Sequence, residues 1–258
     1  MTGAHDDPSV LARPSGREDA PDLAIVVFAY NEAENIAPVL RELCDWLDKH
    51  EPDSELIVVD DGSSDATAEQ ARRVLAGRRA QVLRHERNRG IGAALKTGVA
   101  ASSARWLTFM PADGQIEPAA IGTLRDAARP AAGEPVDVVF SVYDHRDDGL
   151  DRKLLSFGVR ALIALVHRVV VHSDGPYLFR RSLFDPEQLT PDTFFLNFEF
   201  PIRVVGADLP RRTVTIACRP RRAGVSKSAS FRRILGVGRD LFALRRRRSA
   251  ASSGVSIR

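Results

Sequence analysis

The stretch LAIVVFAY, residues 23–30, is continuously apolar and rich in β-branched side chains. A run without polar alternation reads as a strand buried on both faces. Behind it Ile36, Leu40, Leu43 and Leu47 recur at helical spacing. ELIVVD (55–60) is a second buried strand, and Ser63, Ser64 and Asp65 offer N-caps for a helix through ATAEQARRVL that Gly77 stops. AQVLRH is a weaker strand, GIGAALKTGVAAS a small-residue helix, RWLTFM a strand, PAAIGTLRDAA a helix and VDVVFSVY a strand again. Strands alternating with helices predict an α/β fold with a mostly parallel sheet and helices on both faces. In such sheets ligands gather at the carboxyl ends of the strands. Those ends carry YNEAEN, DDGSSD, HERNRG and PADGQ.

Past residue 142 the alternation breaks down. YDHRDDGLDRKLLS is a charged loop entering a helix, and DGPYLFRRSLF a turn with a short strand or helix. FFLNFEFPIRVVGA reads as a helix stopped by Gly206, RRTVTIACR as a strand and RPRRAGVSKSAS as a basic loop. The last element, FRRILGVGRDLFALRRRR, puts Phe231, Ile234, Leu235, Leu241 and Phe242 on one helical face among seven arginines.

With 44% apolar and 28% charged residues, the 258-residue chain has material for an ordinary core. Net charge is only +3, so the C-terminal arginines are a local feature. They lack an aromatic-interleaved platform, and nucleic acid is not expected as a partner. Cys44 and Cys218 stand alone in apolar surroundings, which predicts core thiols in a reducing compartment. Residues 1–21 have no apolar h-region and are rich in Pro, Gly and Asp, so a disordered arm is expected. LIALVHRVVV is too short, and too interrupted by His167 and Arg168, to span a bilayer. Together these predict a cytoplasmic protein.

Three motifs carry candidate chemistry. In NRGIGAALKTG the third glycine of a dinucleotide fingerprint is Leu95, and the glycine a P-loop needs before Lys96 is missing. A tight loop with close helix packing fits better. In VVDDGSSDAT an N-capped turn explains Ser63, Ser64 and Asp65 but not adjacent aspartates at a buried strand's mouth. A carboxylate there can accept a hydrogen bond from a base N–H. In TFMPADGQIEP a strand runs into a turn bearing one acid, Asp113, with Pro111 where an Asp-x-Asp pair would have its first carboxylate.

In their order and spacing, FAYNEAENI, VVDDGSSDAT, NRGIGAALKTG and FMPADGQIEP resemble the family 2 glycosyltransferases. The nearest branch contains dolichyl-phosphate mannose synthase and bacterial polyprenyl-phosphate sugar transferases. The later RRAGVSK is similar to that family's R-x-x-G-x-S-K segment through Arg221, Gly224, Ser226 and Lys227. HRDDGLDRKLLS is similar to its R-x-D-x-x-x-R loop through Arg146, Asp148 and Arg152.

The resemblance implies a Rossmann-like GT-A fold over residues 22–228 and a nucleotide-diphosphate sugar donor. Phe28, Tyr30, Glu32, Val59 and Asp61 would hold the nucleotide, with Ala112 and Asp113 beside the diphosphate. Asp113 and Gln115 would hold a divalent cation, Mg2+ or Mn2+, in a site weakened by Pro111. Asp113, Arg221 and Lys227 would form the catalytic group, the two cations gripping the leaving diphosphate. Arg146 and Arg152 would take an acceptor phosphate, since a guanidinium fork matches phosphate oxygens. The implied reaction is inverting transfer of a hexose to a polyprenyl phosphate. A phosphate acceptor needs no general base, whereas a hydroxyl acceptor would need one, with His145, His172, Asp148 and Asp174 as candidates. Residues 229–258, a basic amphipathic helix and tail, would seat the protein peripherally on the anionic inner face of the cell membrane. The competing expectations are transfer to a soluble hydroxyl acceptor, and a non-catalytic nucleotide-sugar-binding protein whose metal site decayed at Pro111.

Overall fold

The computed structural model describes residues 20–130, 133–144, 150–186, 188–189, 192–193, 195–223 and 238–247, with the backbone alone for 150–157. In chain order the elements are β1 (Leu23–Ala29), α1 (Ala33–His50), β2 (Glu55–Asp60), α2 (Thr67–Val74), β3 (Ala80–Arg84), α3 (Ile91–Ala101), β4 (Trp106–Pro111), α4 (Ala119–Ala128), β5 (Val138–Tyr143), α5 (Leu150–His167), β6 (Leu178–Arg180), α6 (Leu196–Gly206) and β7 (Arg211–Ile216). A further helix, α7, covers 238–247. Among the described residues, no helix is long and apolar enough to cross a membrane.

The seven strands lie in the order β3-β2-β1-β4-β6-β5-β7. All pairings are parallel except those of β6, which runs antiparallel to both β4 and β5. The chain builds outward from β1 to β3, then returns to place β4 on β1's other side. The strand order therefore reverses between β1 and β4, the point at which open sheets of this kind take their ligands beyond the carboxyl ends of the strands.

The continuous apolar runs have two-sided burial. Leu23, Ile25, Val27 and Ala29 of β1 face a core filled by Ile36, Leu40, Leu43 and Leu47 of α1 and Ile121 and Leu124 of α4. Ala24 and Val26 face the opposite core, with Leu95 and Val99 of α3 and Leu196, Phe200 and Val204 of α6. Helix α3 lies very close to the sheet there. A Cβ on Gly98 would sit 2.3 Å from Val26 Cγ1, which accounts for that helix's run of small residues.

Three expectations need correction, and one is made specific. Helix α2 runs from Thr67 to Val74 with Ala66, rather than Ser63, Ser64 or Asp65, at its N-cap; Asp65 Oδ1 accepts the Thr67 N–H at 3.0 Å from one position further back, and Ser63 is spent on Asp60. DGPYLFRRSLF forms both a strand, β6, and a 3-10 turn at Arg181–Leu183. Cys44 is buried as expected, but Cys218 is half-buried, lying just past edge strand β7. On α7, Leu241 is 1% exposed and Phe242 54% exposed: adjacent helical positions diverge by about 100°, and the inward stripe is Leu241 and Leu244. That stripe packs on Ile163 of α5, Phe195 and Ile202 in a third cluster. The Arg247 guanidinium ties α7 to the fully buried Glu199 of α6 at 3.3 Å. Phe231, Ile234 and Leu235 lie outside the described residues.

Candidate active site

The crevice above β1 and β4 is built from four strand ends. After β1, Asn31 takes a left-handed conformation, φ 53°, which asparagine tolerates better than other side chains with a Cβ. It is fastened to the loop after β2: its N–H donates to Ser63 Oγ at 2.8 Å, and its Oδ1 accepts the Ser64 N–H at 2.8 Å. The Glu32 N–H donates to Thr67 Oγ1 at 2.8 Å. Two loops that could have moved separately therefore move as one.

The paired aspartates at the end of β2 serve this scaffold. Asp60 is fully buried and accepts the Ser63 N–H at 3.1 Å, with Arg84 Nε 3.2 Å away. Asp61, 4% exposed, accepts the main-chain N–H groups of Arg89 at 2.9 Å and Gly90 at 2.8 Å. Its Oδ1 also lies 2.7 Å from His85 Nδ1. Gly62, directly after them, has φ 73°, and a Cβ there would fall 2.3 Å from the Arg87 main chain. The glycine is thus required twice, by conformation and by close approach.

The candidate catalytic residues that are described gather on the β1/β4 side. Glu32 is 8% exposed and Asp113 9% exposed. The Arg221 guanidinium lies between them, hydrogen-bonded through Nη2 to Glu32 Oε1 and placing Nη1 3.4 Å from Asp113 Oδ2. The chain around it runs along the turn after β4: Arg219 N–H donates to Gln115 O at 2.9 Å, and Arg222 N–H to Asp113 O at 3.3 Å. Asn35 locks the arrangement, donating to Glu32 Oε2 at 2.7 Å and to Ala223 O at 3.2 Å. Burial pushes the Asp113 carboxyl above the usual carboxylate range; the Gln115 N–H and Arg221 pull it down, while the Glu32 charge adds to the rise.

The other expected site residues divide. Tyr30 is 37% exposed, directly after the end of β1. Phe28 is half-buried, its ring centroid 6.1 Å from that of Phe109. Val59 and Ala112 are buried, at 0% and 2% exposed, so a nucleotide could reach them through the main chain but not through their side chains. Gln115 is half-buried, its N–H donating to Asp113 Oδ1 at 3.0 Å. Lys227 and Arg146 lie outside the described residues, as does the Arg152 side chain on α5. Among the candidate bases, His145 and Asp148 also lie outside them, and Asp174 is paired with Arg160. Asn35 was missed. Its signal was present in YNEAEN, three residues after Glu32 and so one helical turn above it.

Pro111 ends β4 opposite Phe28. It has no N–H to donate, and the ladder resumes with Ala112 N–H to Phe28 O at 3.1 Å. No group of three or more His, Cys, Asp or Glu able to hold a metal occurs among the described residues. The donors present suit a cation that takes most of its ligands from elsewhere. Asp113 offers a buried carboxylate with Arg221 as its cationic partner among the described residues, and Mg2+ commonly uses one or two carboxylates with substrate phosphates and water.

The mostly parallel seven-stranded sheet, with its acids and Arg221 gathered beyond the carboxyl ends of β1 and β4, has the GT-A fold of glycosyltransferases. Residues 24–196, more than half of the chain, match the family described as glycosyl transferase family 2, and the chain belongs to it. It is 28% identical to the dodecaprenyl-phosphate galacturonate synthase of Rhizobium johnstonii over 234 residues, 87% of this chain and 68% of that one. It is 35% identical to the dolichyl-phosphate beta-glucosyltransferase of Drosophila melanogaster over 107 residues, 38% of this chain and 33% of that one. The glucosyl-3-phosphoglycerate synthase of Mycobacterium tuberculosis, solved with Mn2+, uridine diphosphate and glucosyl-3-phosphoglycerate, shares the fold with a TM-score of 0.65 at 22% identity, over 87% of this chain and 78% of that one. The chain thus spans about two thirds of its first relative and a third of the second.

Proposed function

We propose that the protein moves a hexose from a nucleotide-diphosphate sugar to a polyprenyl phosphate, with inversion at the anomeric carbon. The observation that carries this reading is the Arg221 guanidinium held between Glu32 and Asp113 at the β1/β4 switch point. The names of the relatives supply the acceptor class: dodecaprenyl, dolichyl and undecaprenyl phosphates.

The acceptor phosphate oxygen attacks the anomeric carbon from the side opposite the donor diphosphate. The bond from that carbon to the diphosphate oxygen breaks, and its electron pair leaves with the nucleoside diphosphate. Charge therefore grows on the diphosphate in the transition state, and a buried cation aimed at it accelerates the step. Arg221 fills that role, released from Glu32 and Asp113 as the donor's negative charge competes for it; Lys227 is its partner in the RRAGVSK segment. Asp113 would hold a divalent cation, which when bound neutralises diphosphate charge. Tyr30 would hold the nucleoside, with Asp61 taking a base N–H on acceptor capacity left beside its loop bonds, and Arg146 and Arg152 would orient the acceptor phosphate. The lipid tail requires the cleft to work at a membrane surface.

The test is incubation with radiolabelled nucleotide sugars and short-chain polyprenyl phosphate in detergent. Label should pass into organic solvent, in a product of anomeric configuration opposite to the donor's. Label transferred only to water-soluble acceptors would overturn the lipid assignment. Donor binding without transfer to any acceptor would overturn the enzymatic one.

A further inference from the structure

Among the described residues, four large apolar or aromatic side chains are exposed. Tyr30 belongs to the cleft. The other three, Leu165 (78%), Val170 (64%) and Phe242 (54%), lie beside one seam, where α5 and the turn after it meet α7. Two hydrogen bonds close that seam: His167 Nε2 to Leu241 O at 3.1 Å and Arg245 Nη1 to Val166 O at 2.6 Å. Their neighbours Ile163, Val171, Leu241 and Leu244 point inward and fill the third cluster, so these three point out.

The surrounding charge is one-sided. Arg168, Arg245 and Arg246 are exposed, and none has an acidic partner among the described residues. The nearby acids are already engaged. Glu199 is buried against Arg203 and Arg247, Asp240 accepts Thr193 Oγ1 at 2.9 Å, and Asp174 is paired with Arg160. Exposed apolar side chains ringed by uncompensated arginines match an anionic lipid surface, which offers hydrocarbon behind a layer of negative charge.

The patch is wired to the cleft. Asp240 of α7 holds Thr193; the neighbouring Asp192 accepts the Ala93 N–H at 3.1 Å through its main chain and pairs with Lys96 at 3.0 Å. The loop before α3 is the one Asp61 grips. On the other side, the segment leading from Val170 reaches the carboxyl end of β5, with Asp174 N–H donating to Ser141 O at 2.9 Å.

We propose that Leu165, Val170 and Phe242, with Arg168, Arg245 and Arg246, form a composite seat on an anionic bilayer that fixes the cleft relative to the lipid surface. It rests on the lipid-acceptor reading for its purpose but not for its existence. It also replaces the picture of α7 lying in the membrane on its own apolar face, since Leu241 and Leu244 are already covered by α5 and α6. Each arginine near such a surface contributes about a fivefold gain in partition.

The experiment is flotation of the full chain with vesicles of phosphatidylglycerol and phosphatidylcholine, and with phosphatidylcholine alone, neither containing polyprenyl phosphate. The protein should float with the anionic vesicles, and less so at high salt. Leu165→Glu with Phe242→Glu should lower that partition about tenfold or more, and Arg168→Glu with Arg246→Glu about as much, while transfer in detergent and the thermal midpoint stay unchanged. No flotation of the unaltered chain at low salt, or flotation of both double variants equal to it, overturns the seat. A drop in sedimentation mass for the first double variant overturns it in favour of a second copy as occupant. Should the first variant fail to fold, the arginine pair decides alone. Loss of the acceptor reading leaves flotation intact, and loss of the seat leaves transfer in detergent intact, so the two failures are distinguishable.

Discussion

Two ion clusters sit at opposite edges of the same sheet and behave in opposite ways. At the amino edge, Asp22 before β1 accepts Arg105 Nε at 2.7 Å and Arg125 Nη2 at 2.6 Å, and Arg125 Nε also reaches Glu51 at 3.1 Å. There two acids meet two arginines. At the carboxyl edge, Glu32 and Asp113 share Arg221 alone among the described residues. The carboxyl groups register the difference. Burial by itself would raise Asp22, but bonds and charge from Arg125 and Arg105 together bring it below the usual range. Burial raises Asp113, and its single arginine does not bring it back. The first cluster is a saturated brace joining α1, α4 and the starts of β1 and β4. The second is, among the described residues, short of positive charge at the place proposed for the diphosphate donor.

The largest effect should come from breaking the second cluster. Arg221→Met should lower kcat/KM by about 100-fold or more, the usual consequence of removing one preorganised charge from a developing anion. Steady-state transfer assays read this directly, and a loss below tenfold would exclude Arg221 from the chemistry.

Breaking the first cluster should cost stability instead. Arg125→Ala leaves Asp22 and Glu51 without their shared partner, in a site where the guanidinium is 18% exposed. A loss of about 2 kcal/mol is expected, roughly 5 °C in a chain this size, with kcat unchanged. Calorimetry beside the transfer assay separates the two outcomes.

A third substitution should sharpen the contrast by deepening the charge deficit. Pro111→Asp restores a second carboxylate at the end of β4, and in the presence of nucleoside diphosphate Mn2+ affinity should rise about tenfold, or ~1.4 kcal/mol. Without any cation the same variant should melt lower than the native chain, because a third acid then shares one arginine. Titration calorimetry with and without the nucleotide checks both halves.

The smallest effect is in the pH dependence, where the two aspartates should move in opposite senses. Asp22 has a lowered folded pKa, so its contribution to stability is present above the ordinary aspartate value of 3.8 and is lost as pH falls through the folded value. Asp113 has a raised one, so the folded state binds its proton more tightly. Its burden on stability is absent below 3.8 and grows as pH rises through the folded value. Asp22→Asn should therefore destabilise at neutral pH and be neutral in acid. Asp113→Asn should match or exceed the native melting temperature at neutral pH, with that advantage vanishing on acidification. Parallel melting curves from pH 3 to pH 7 give the comparison.

How much of this could be read from the chain follows from the range of each interaction. The buried strands were legible because a strand covered on both faces must be apolar throughout, and LAIVVFA and ELIVVD are so. Asp113 was legible as a lone acid at a strand end. Its partner Arg221 lies 108 residues away, and nothing in the spacing of either announces that Arg219 and Arg222 clip their main chains to the turn beside it. Periodicity failed on α7 for a related reason. It groups Leu241 with Phe242, but which apolar stripe turns inward depends on where α5 and α6 offer a hollow.

The sequence by itself determined the alternation of elements, the family, and which residue types stand at the strand ends, because these depend on neighbours within a few positions. Tertiary structure decided the rest. It set β6 antiparallel between β4 and β5, spent Asp60 and Asp61 largely on holding loops, and balanced one ion cluster while leaving the other, among the described residues, short of charge. Electrostatic balance depends on how many charges a fold brings within a few ångströms, and residues distant in the chain become neighbours only when the sheet is assembled.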